Sequence, residues 1–244
     1  VSGAGAASCA AEMHAGERRP MPLIGDRHAW LERLARGAAG EVAHVGCADS
    51  PYTAELLATH GLLHERLLGA ARVTGIDIDG PALALIAARH PQARLIEADV
   101  AAGPPDAERG RYALVIAGEV LEHVPDADRF LRGCAALLAP HGRLCVTVPN
   151  ACCPKIGLRA LAGRESVHPD HRVYYGPRTL ERTLAGAGLR LDFIASCFPP
   201  GAGRSGRLLV NPLIRGAHRV TQGPLGDGLI AVASASSNAS TIAS

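Results

Sequence analysis

An α/β fold, with a mostly parallel sheet covered by helices on both faces, is what this chain predicts. Three observations carry the expectation. Short apolar runs alternate with helical periods along most of the 244 residues, the pattern of repeated βα units. The stretch Glu41–Asp79 reads as strand, small-residue turn, helix and strand with a terminal carboxylate, the form of a nucleotide-binding βαβ unit. No internal repeat or second domain is visible, so one domain over residues 21–234 is expected. At 48% hydrophobic and 20% charged the chain can fill a full core, and with only 3% aromatic residues that core falls to Leu, Val, Ile and Ala.

Taken in order, residues 1–20 are rich in Ala, Gly and Ser and read as a flexible N-terminal segment. They contain Glu12, Glu17, Arg18 and Arg19 without a continuous apolar stretch, which argues against a signal peptide. Asp26 is placed to cap a helix to about Arg36, with Trp30, Leu31 and Leu34 on one face. Val42–Val45 is the first strand. It breaks at Gly46-Cys47-Ala48-Asp49-Ser50, where small residues let backbone N–H groups approach a ligand at the next helix N-terminus. That helix carries Tyr52, Leu56, Leu57 and His60 on related turns, and Ser50-Pro51 suits its N-cap and first turn. The connection Gly61–Ala70 is long enough for an extra helical turn or two. A second strand, Val73–Ile78, ends in acids, and Asp77 sits where it could accept from both hydroxyls of a ribose.

Further along, Pro81–His90 predicts a helix opened by its proline, and Ala93–Ile96 the third strand. Asp106–Arg111 reads as a polar loop or short helix and Tyr112–Ile116 as the fourth strand. Asp126–Ala139 is a helix closed by Pro140 and Gly142, and Arg143–Val148 the fifth strand. Ala151–Val173 has no clear period, and long ordered loops are often functional. Pro177–Ala187 is a helix, Leu189–Ala195 the sixth strand and Leu229–Ala233 a closing strand. The basic, Gly/Pro-punctuated stretch Gly201–Gly226 allows a helix around Arg207–Arg215. Two substrate-side loops, residues 151–176 and 196–226, and a disordered tail, residues 235–244, complete the expected layout.

Composition narrows the partners. A net charge of +2 is too balanced for the general attraction a nucleic-acid binder uses. Seven cysteines, an odd number with no C-x-x-C pair, suit a reducing cytoplasm. No apolar run reaches transmembrane length, so no membrane partner is expected.

The turn after the first strand has only Gly46 in register with G-x-G-x-x-G, which disfavours a dinucleotide. The stretch resembles instead motif I of class I S-adenosylmethionine (SAM) methyltransferases, an acid followed by G-x-G-x-G. Three later blocks stand in the matching order: Glu97-Ala98-Asp99, Glu119-Val120-Leu121-Glu122-His123 and Thr147-Val148-Pro149-Asn150. The resemblance covers roughly positions 40 to 195. It implies a Rossmann-like doubly wound sheet of seven strands, mostly parallel with an antiparallel last strand. It also implies SAM as cofactor, with Gly46 beside the methionine part, Asp77 on the ribose and Asp99 on the adenine amine. His44, Cys47, Ala48, Tyr52, Ile78, Val100 and Ala117 would complete the cofactor site. Three positions depart from the motif: His44 replaces its acid, Ala48 its second glycine and Ser50 its third.

Methyl transfer to a hydroxyl needs a base or a Lewis acid to remove the proton. His123 is the candidate base. Glu119, Glu122 and His123 stand at i, i+3 and i+4, which would bring them together on a turn of helix. The same E-x-x-E-H pattern resembles the divalent-metal site of ubiquinone-pathway O-methyltransferases and of small-RNA 2′-O-methyltransferases. By that resemblance His168 or His171 would complete a Mg²⁺ or Mn²⁺ site, taken as Glu119, Glu122, His123 and His168. Without a metal, His168 and His171 would be substrate-loop bases or plain polar residues. Arg204, Arg207, Arg215, His218 and Arg219 would meet an anionic group on the acceptor, or form a solvated surface. Tyr174 and Tyr175 would line the pocket or hold the loop down.

The expected function is methylation of a hydroxyl on a small molecule, sugar or natural product, with a homodimer as the assembly to test. N- or C-methylation, RNA 2′-O-methylation and a non-catalytic scaffold are the alternatives, and SAM binding separates the last from the rest.

Overall fold

Eight strands form one sheet in the computed structural model, which describes residues 20–165, 168–200 and 210–236. They are β1 (Leu23–Ile24), β2 (Val42–Val45), β3 (Val73–Asp77), β4 (Arg94–Glu97), β5 (Tyr112–Gly118), β6 (Leu138–Pro149), β7 (Leu189–Cys197) and β8 (Gly228–Ala235), in the order β1-β7-β8-β6-β5-β2-β3-β4. Neighbours run parallel except at β8, which is antiparallel to both β6 and β7. The Rossmann-like doubly wound architecture with an antiparallel last strand is therefore present.

The strand count is eight and not seven. The added strand is β1, too short to leave a period in the sequence. It forms because the Ser196 N–H donates to the Pro22 carbonyl at 2.9 Å and the Phe198 N–H to that of Ile24 at 3.0 Å. Backbone groups along the β7 edge are thereby paired and not left open.

The helices are α1 (Arg27–Arg36), α2 (Thr53–Ala58), α3 (Leu63–Leu68), α4 (Gly80–Arg89), α5 (Ala127–Leu137), α6 (Pro154–Leu161), α7 (Pro177–Gly186) and α8 (Val210–Thr221). Asp26, Asp79 and Asp126 cap α1, α4 and α5 by accepting from the N–H groups of Ala29, Ala82 and Arg129, each at 2.9 Å. Each cap satisfies a donor the helix itself cannot. The predicted extra helical segment between the first helix and second strand is α3.

Three local expectations fail. Ser50 does not cap α2, which starts at Thr53. The Asp49 carbonyl accepts from Tyr52 N–H and the Ala48 carbonyl from Thr53 Oγ1, so the turn is completed before the helix begins. The stretch without a period contains α6, whose Leu158 and Leu161 are 62% and 88% exposed. A helix that buries no stripe leaves no buried face for a pattern to reveal. The third is the Glu119–His123 segment, which is a turn and not helix. Residues 1–19 and 237–244, with Arg204 and Arg207, lie outside the described residues.

The core follows from strand alternation. Ala43, Val45, Val115 and Val146 face Phe130, Leu131 and Leu137 of α5 with Leu180 and Leu184 of α7. On the other face Val42, Leu114, Ile116 and Cys145 meet Leu31 of α1 and Leu63 and Leu67 of α3. The N-terminal end of the sheet is tied by Arg94, which donates to both carboxylate oxygens of Glu108 and to Tyr112 Oη. Among the described residues no helix is long and apolar enough to cross a membrane.

Candidate active site

A cavity of about 800 Å³ opens where β2, β3, β4 and β5 end. The switch in strand order lies between β2 and β5, where open α/β sheets bind their ligands. Gly46 makes the turn out of β2. Its φ is +72°, and its N–H donates to the Ile76 carbonyl at 2.9 Å. A Cβ there would lie 2.2 Å from Val120 Cγ2, so both the backbone and the neighbour require glycine. Asp77 binds the turn from β3: one carboxylate oxygen accepts from Ala48 N–H at 2.9 Å, the other from Asp79 N–H at 3.1 Å. Asp99, exposed beyond β4, accepts from Ala101 N–H at 2.9 Å through Oδ1.

His44, Gly46, Cys47, Tyr52, Asp77, Ile78, Asp99 and Val100 all line this cavity. Tyr52 and Ile78 are its exposed rim; Cys47 and Val100 are buried behind it. Ala48 takes part through its backbone N–H, its side chain being packed beside Leu62 and Ile86. Ala117 is not brought to the cavity: strand alternation turns it into the core, and Gly118 takes the expected place.

The other half of the cavity is built from the β5 turn and the segment after α6. Glu119 has φ +56°, which directs its carboxylate to Arg27 Nη1 at 2.6 Å and to Thr147 Oγ1 at 3.1 Å. Glu122 is fully buried and neither carboxylate oxygen has a partner. Burial, and then the nearby Glu119 charge, pushes its carboxyl up to about 8. His123 Nδ1 lies 3.1 Å from the Asp170 carbonyl. A carbonyl only accepts, so Nδ1 carries a proton toward it, and Nε2 is the nitrogen left for other partners. The His171 ring stands edge-on to His123 at 4.7 Å between centroids, and its buried Nδ1 has no partner. Burial, with His123 and His168 adding to it, holds His171 below the usual imidazole range.

One ligating atom from each of Glu122, His123 and His171 lies within 4.8 Å of the others. The group shares Glu122 and His123 with the expected set of Glu119, Glu122, His123 and His168. Of the other residues expected there, the Glu119 carboxylate pairs with Arg27, and His168 Nδ1 accepts from Asp170 N–H at 3.4 Å. His168 stays nearby, 5.1 Å from the His171 ring.

The methyltransferase domain family matches residues 19–192 of this chain. The chain belongs to that family. Among its relatives, a ubiquinone biosynthesis O-methyltransferase of Coxiella burnetii is 29% identical over 190 residues, covering 72% of this chain and 75% of the relative. A probable S-adenosylmethionine-dependent methyltransferase of Mycobacterium tuberculosis is 35% identical over 121 residues, covering 49% and 39%. In fold it is similar to an S-adenosylmethionine-dependent methyltransferase from Clostridium acetobutylicum (TM-score 0.55, 9% identity, 86% of this chain and 89% of that one). It is likewise similar to the methyltransferase CalH in complex with S-adenosylhomocysteine (TM-score 0.53, 17% identity, 86% and 55%).

Some residues of the cavity escaped the sequence reading. Arg27 and His28 reach the cavity from α1, although nothing in their spacing marks them. Arg27 is the guanidinium of the lining. Of the expected basic group, Arg215 lies over the Phe198 ring at 4.9 Å, the His218 ring meets the Gly223 carbonyl, and neither they nor Arg219 line the cavity. Tyr174 stands beside His171, while Tyr175 is buried in the core.

Proposed function

We propose that this methyltransferase moves the methyl group of SAM to a hydroxyl oxygen of a small molecule, assisted by a divalent cation held by Glu122, His123 and His171. The observation that carries the reading is Glu122, a buried carboxyl with two unpartnered oxygens beside two imidazoles. Such a group is costly to bury alone, and a cation would satisfy it. One carboxylate with two imidazoles suits Mn²⁺ better than Mg²⁺, which favours all-oxygen sites. The relatives named for O-methylation support oxygen as the acceptor.

SAM supplies a methyl carbon made electrophilic by its sulfonium, and a bound cation would supply a Lewis acid for the acceptor hydroxyl. The chain's residues bind, orient and accept the proton. An ionised carboxylate offers about four acceptor positions, so Asp77 keeps two for the ribose hydroxyls after serving Ala48 and Asp79. Asp99 keeps Oδ2 for the adenine amine. Arg27 offers its remaining N–H groups to the methionine carboxylate. The Asp170 carbonyl fixes the His123 tautomer, presenting Nε2 to a cation or, without one, to the acceptor's proton.

The test uses chelator-treated protein, methyl-labelled SAM and a panel of phenolic and sugar hydroxyls, with and without Mn²⁺. Label should reach a hydroxyl only with Mn²⁺, and electron paramagnetic resonance should count one ion per chain. Glu122→Gln should lower turnover at least about 100-fold, as removal of a metal ligand does, while S-adenosylhomocysteine affinity stays within about twofold. Full turnover in chelator with no bound Mn²⁺ would remove the cation; label found only on amines would remove the hydroxyl.

A further inference from the structure

Two buried histidines, His44 of β2 in the cavity lining and His64 of α3 behind it, have been given no chemical role so far. His44 and His64 are 2% and 0% exposed. Their rings stack with centroids 5.4 Å apart, and their Nδ1 atoms approach to 3.3 Å. Packing fixes the pair: a Cβ on Gly75 of β3 would fall 2.9 Å from His64 Cε1. Burial keeps both rings neutral. It drives His44 well below the usual imidazole range, with His64 and His28 adding to it, and holds His64 at about 4.

A contact between two Nδ1 atoms needs one proton between them, since two bare nitrogens or two N–H groups would repel. Each neutral ring has one proton, which leaves two arrangements. If His44 donates, His64 must carry its proton on Nε2, which is sealed off with no acceptor. An orphaned buried N–H is the rarer defect in folded proteins. If His64 donates from Nδ1, only a lone pair is orphaned, and His44 carries its proton on Nε2. His44 lines the cofactor cavity with Nδ1 committed to His64, so Nε2 is its nitrogen left for a ligand.

The methionine end of SAM offers an ammonium, which only donates, and a carboxylate, which only accepts. The acid of motif I can serve only the first. We infer that His44, held in one tautomer by His64, donates from Nε2 to the cofactor's carboxylate, reversing the polarity of the motif at this position. His44 is then a recognition residue and His64 a positioning residue. Arg27 lines the same cavity and adds a charge of the right sign, while Glu119 remains as acceptor for the ammonium. The inference rests on the cofactor reading given above.

Nitrogen–proton NMR correlations of the ligand-free chain report each tautomer directly. His44 should carry its proton on Nε2 and His64 on Nδ1; a His44 Nδ1–H would overturn the assignment. The second arm is the His44→Leu/His64→Leu double variant, which replaces both partners at once and leaves no half-pair buried. It is titrated with S-adenosylhomocysteine, decarboxylated SAM and 5′-methylthioadenosine. Affinity for the first should fall about 10- to 100-fold, the worth of a hydrogen bond to a charged group, with the other two changed by less than about twofold. An equal loss for all three would reduce the pair to a packing role. A loss shared with decarboxylated SAM would mean that His44 serves the ammonium. Wild-type protein that binds none of the three refutes the cofactor reading and takes this inference with it, whereas wild-type binding with an unaffected variant refutes the pair alone.

Discussion

The two halves of the cavity are finished to different degrees. On the cofactor side the acids that face the ligand are already braced by backbone: Asp77 by Ala48 and Asp79, Asp99 by Ala101. On the acceptor side Glu122 has two unpartnered oxygens and His171 an unpartnered nitrogen, all buried. A braced carboxylate costs little and can wait for a neutral hydroxyl or amine. An unbraced buried one costs stability in the absence of something that completes it. The difference teaches that one half is braced by its own backbone, while the other holds a buried carboxyl that, on the proposed reading, a cation would complete.

The largest effect that would break this contrast lies in the Gly46 turn. Gly46→Ala forces a side chain onto a left-handed backbone, at about 1–2 kcal/mol, and drives its Cβ into Val120, at about 1–3 kcal/mol of overpacking. Both the melting temperature and S-adenosylhomocysteine binding should fall sharply. Unchanged values in calorimetry would mean that the cofactor half is not built on this turn. A smaller and cleaner change is Asp77→Ala. It should weaken S-adenosylhomocysteine about 10- to 100-fold by removing charged acceptors, with turnover at saturating SAM nearly kept. Glu122→Gln should do the opposite. Were Asp77→Ala to lower saturated turnover and spare affinity, the two halves would have exchanged roles.

The cofactor half was legible because its interactions are short in sequence or follow from strand ends. The apolar runs located β2, β3 and β4, and residues at their ends then had to meet at the switch point. Even the altered turn could be found, since Gly46 kept its place while Ala48 and Ser50 did not. What was not legible depends on distant packing or on one dihedral angle. Arg27 matters only because α1 crosses the end of β5 and meets Glu119. The left-handed Glu119 backbone, which turns that carboxylate to Arg27 and away from the Glu122–His123–His171 group, leaves no mark in an E-x-x-E-H spacing. His168 Nδ1 accepts from Asp170 N–H, while His171 is the histidine within reach of Glu122 and His123. His64 sits among the leucines of α3 and reads as an interruption of an apolar face until the fold stacks it on His44. Ala117 and Gly118 differ by one step of strand alternation, finer than a strand boundary can be read from sequence.

The smallest functional effect is expected at the opposite end of the sheet, and it tests whether the contrast is confined to the cavity. Glu108 is 3% exposed and takes hydrogen bonds from Arg94 and Tyr112. Arg94 above all, against the opposing effect of burial, holds its carboxyl down to about 2 from an ordinary 4.5. A depressed carboxylate contributes stability that is complete above the unfolded value and is lost as pH falls through the folded one. Wild type should therefore melt above Glu108→Gln by a constant margin at neutral pH, and the margin should shrink as pH is lowered from about 4.5 toward about 2. S-adenosylhomocysteine affinity at neutral pH should be the same for both proteins, because no member of this network lines the cofactor cavity. A margin that grew on acidification would reverse the sign and show that the carboxyl is held in its protonated form. A loss of affinity would show that the two ends of the sheet are mechanically joined, and the site could no longer be treated as two halves built separately on a common frame.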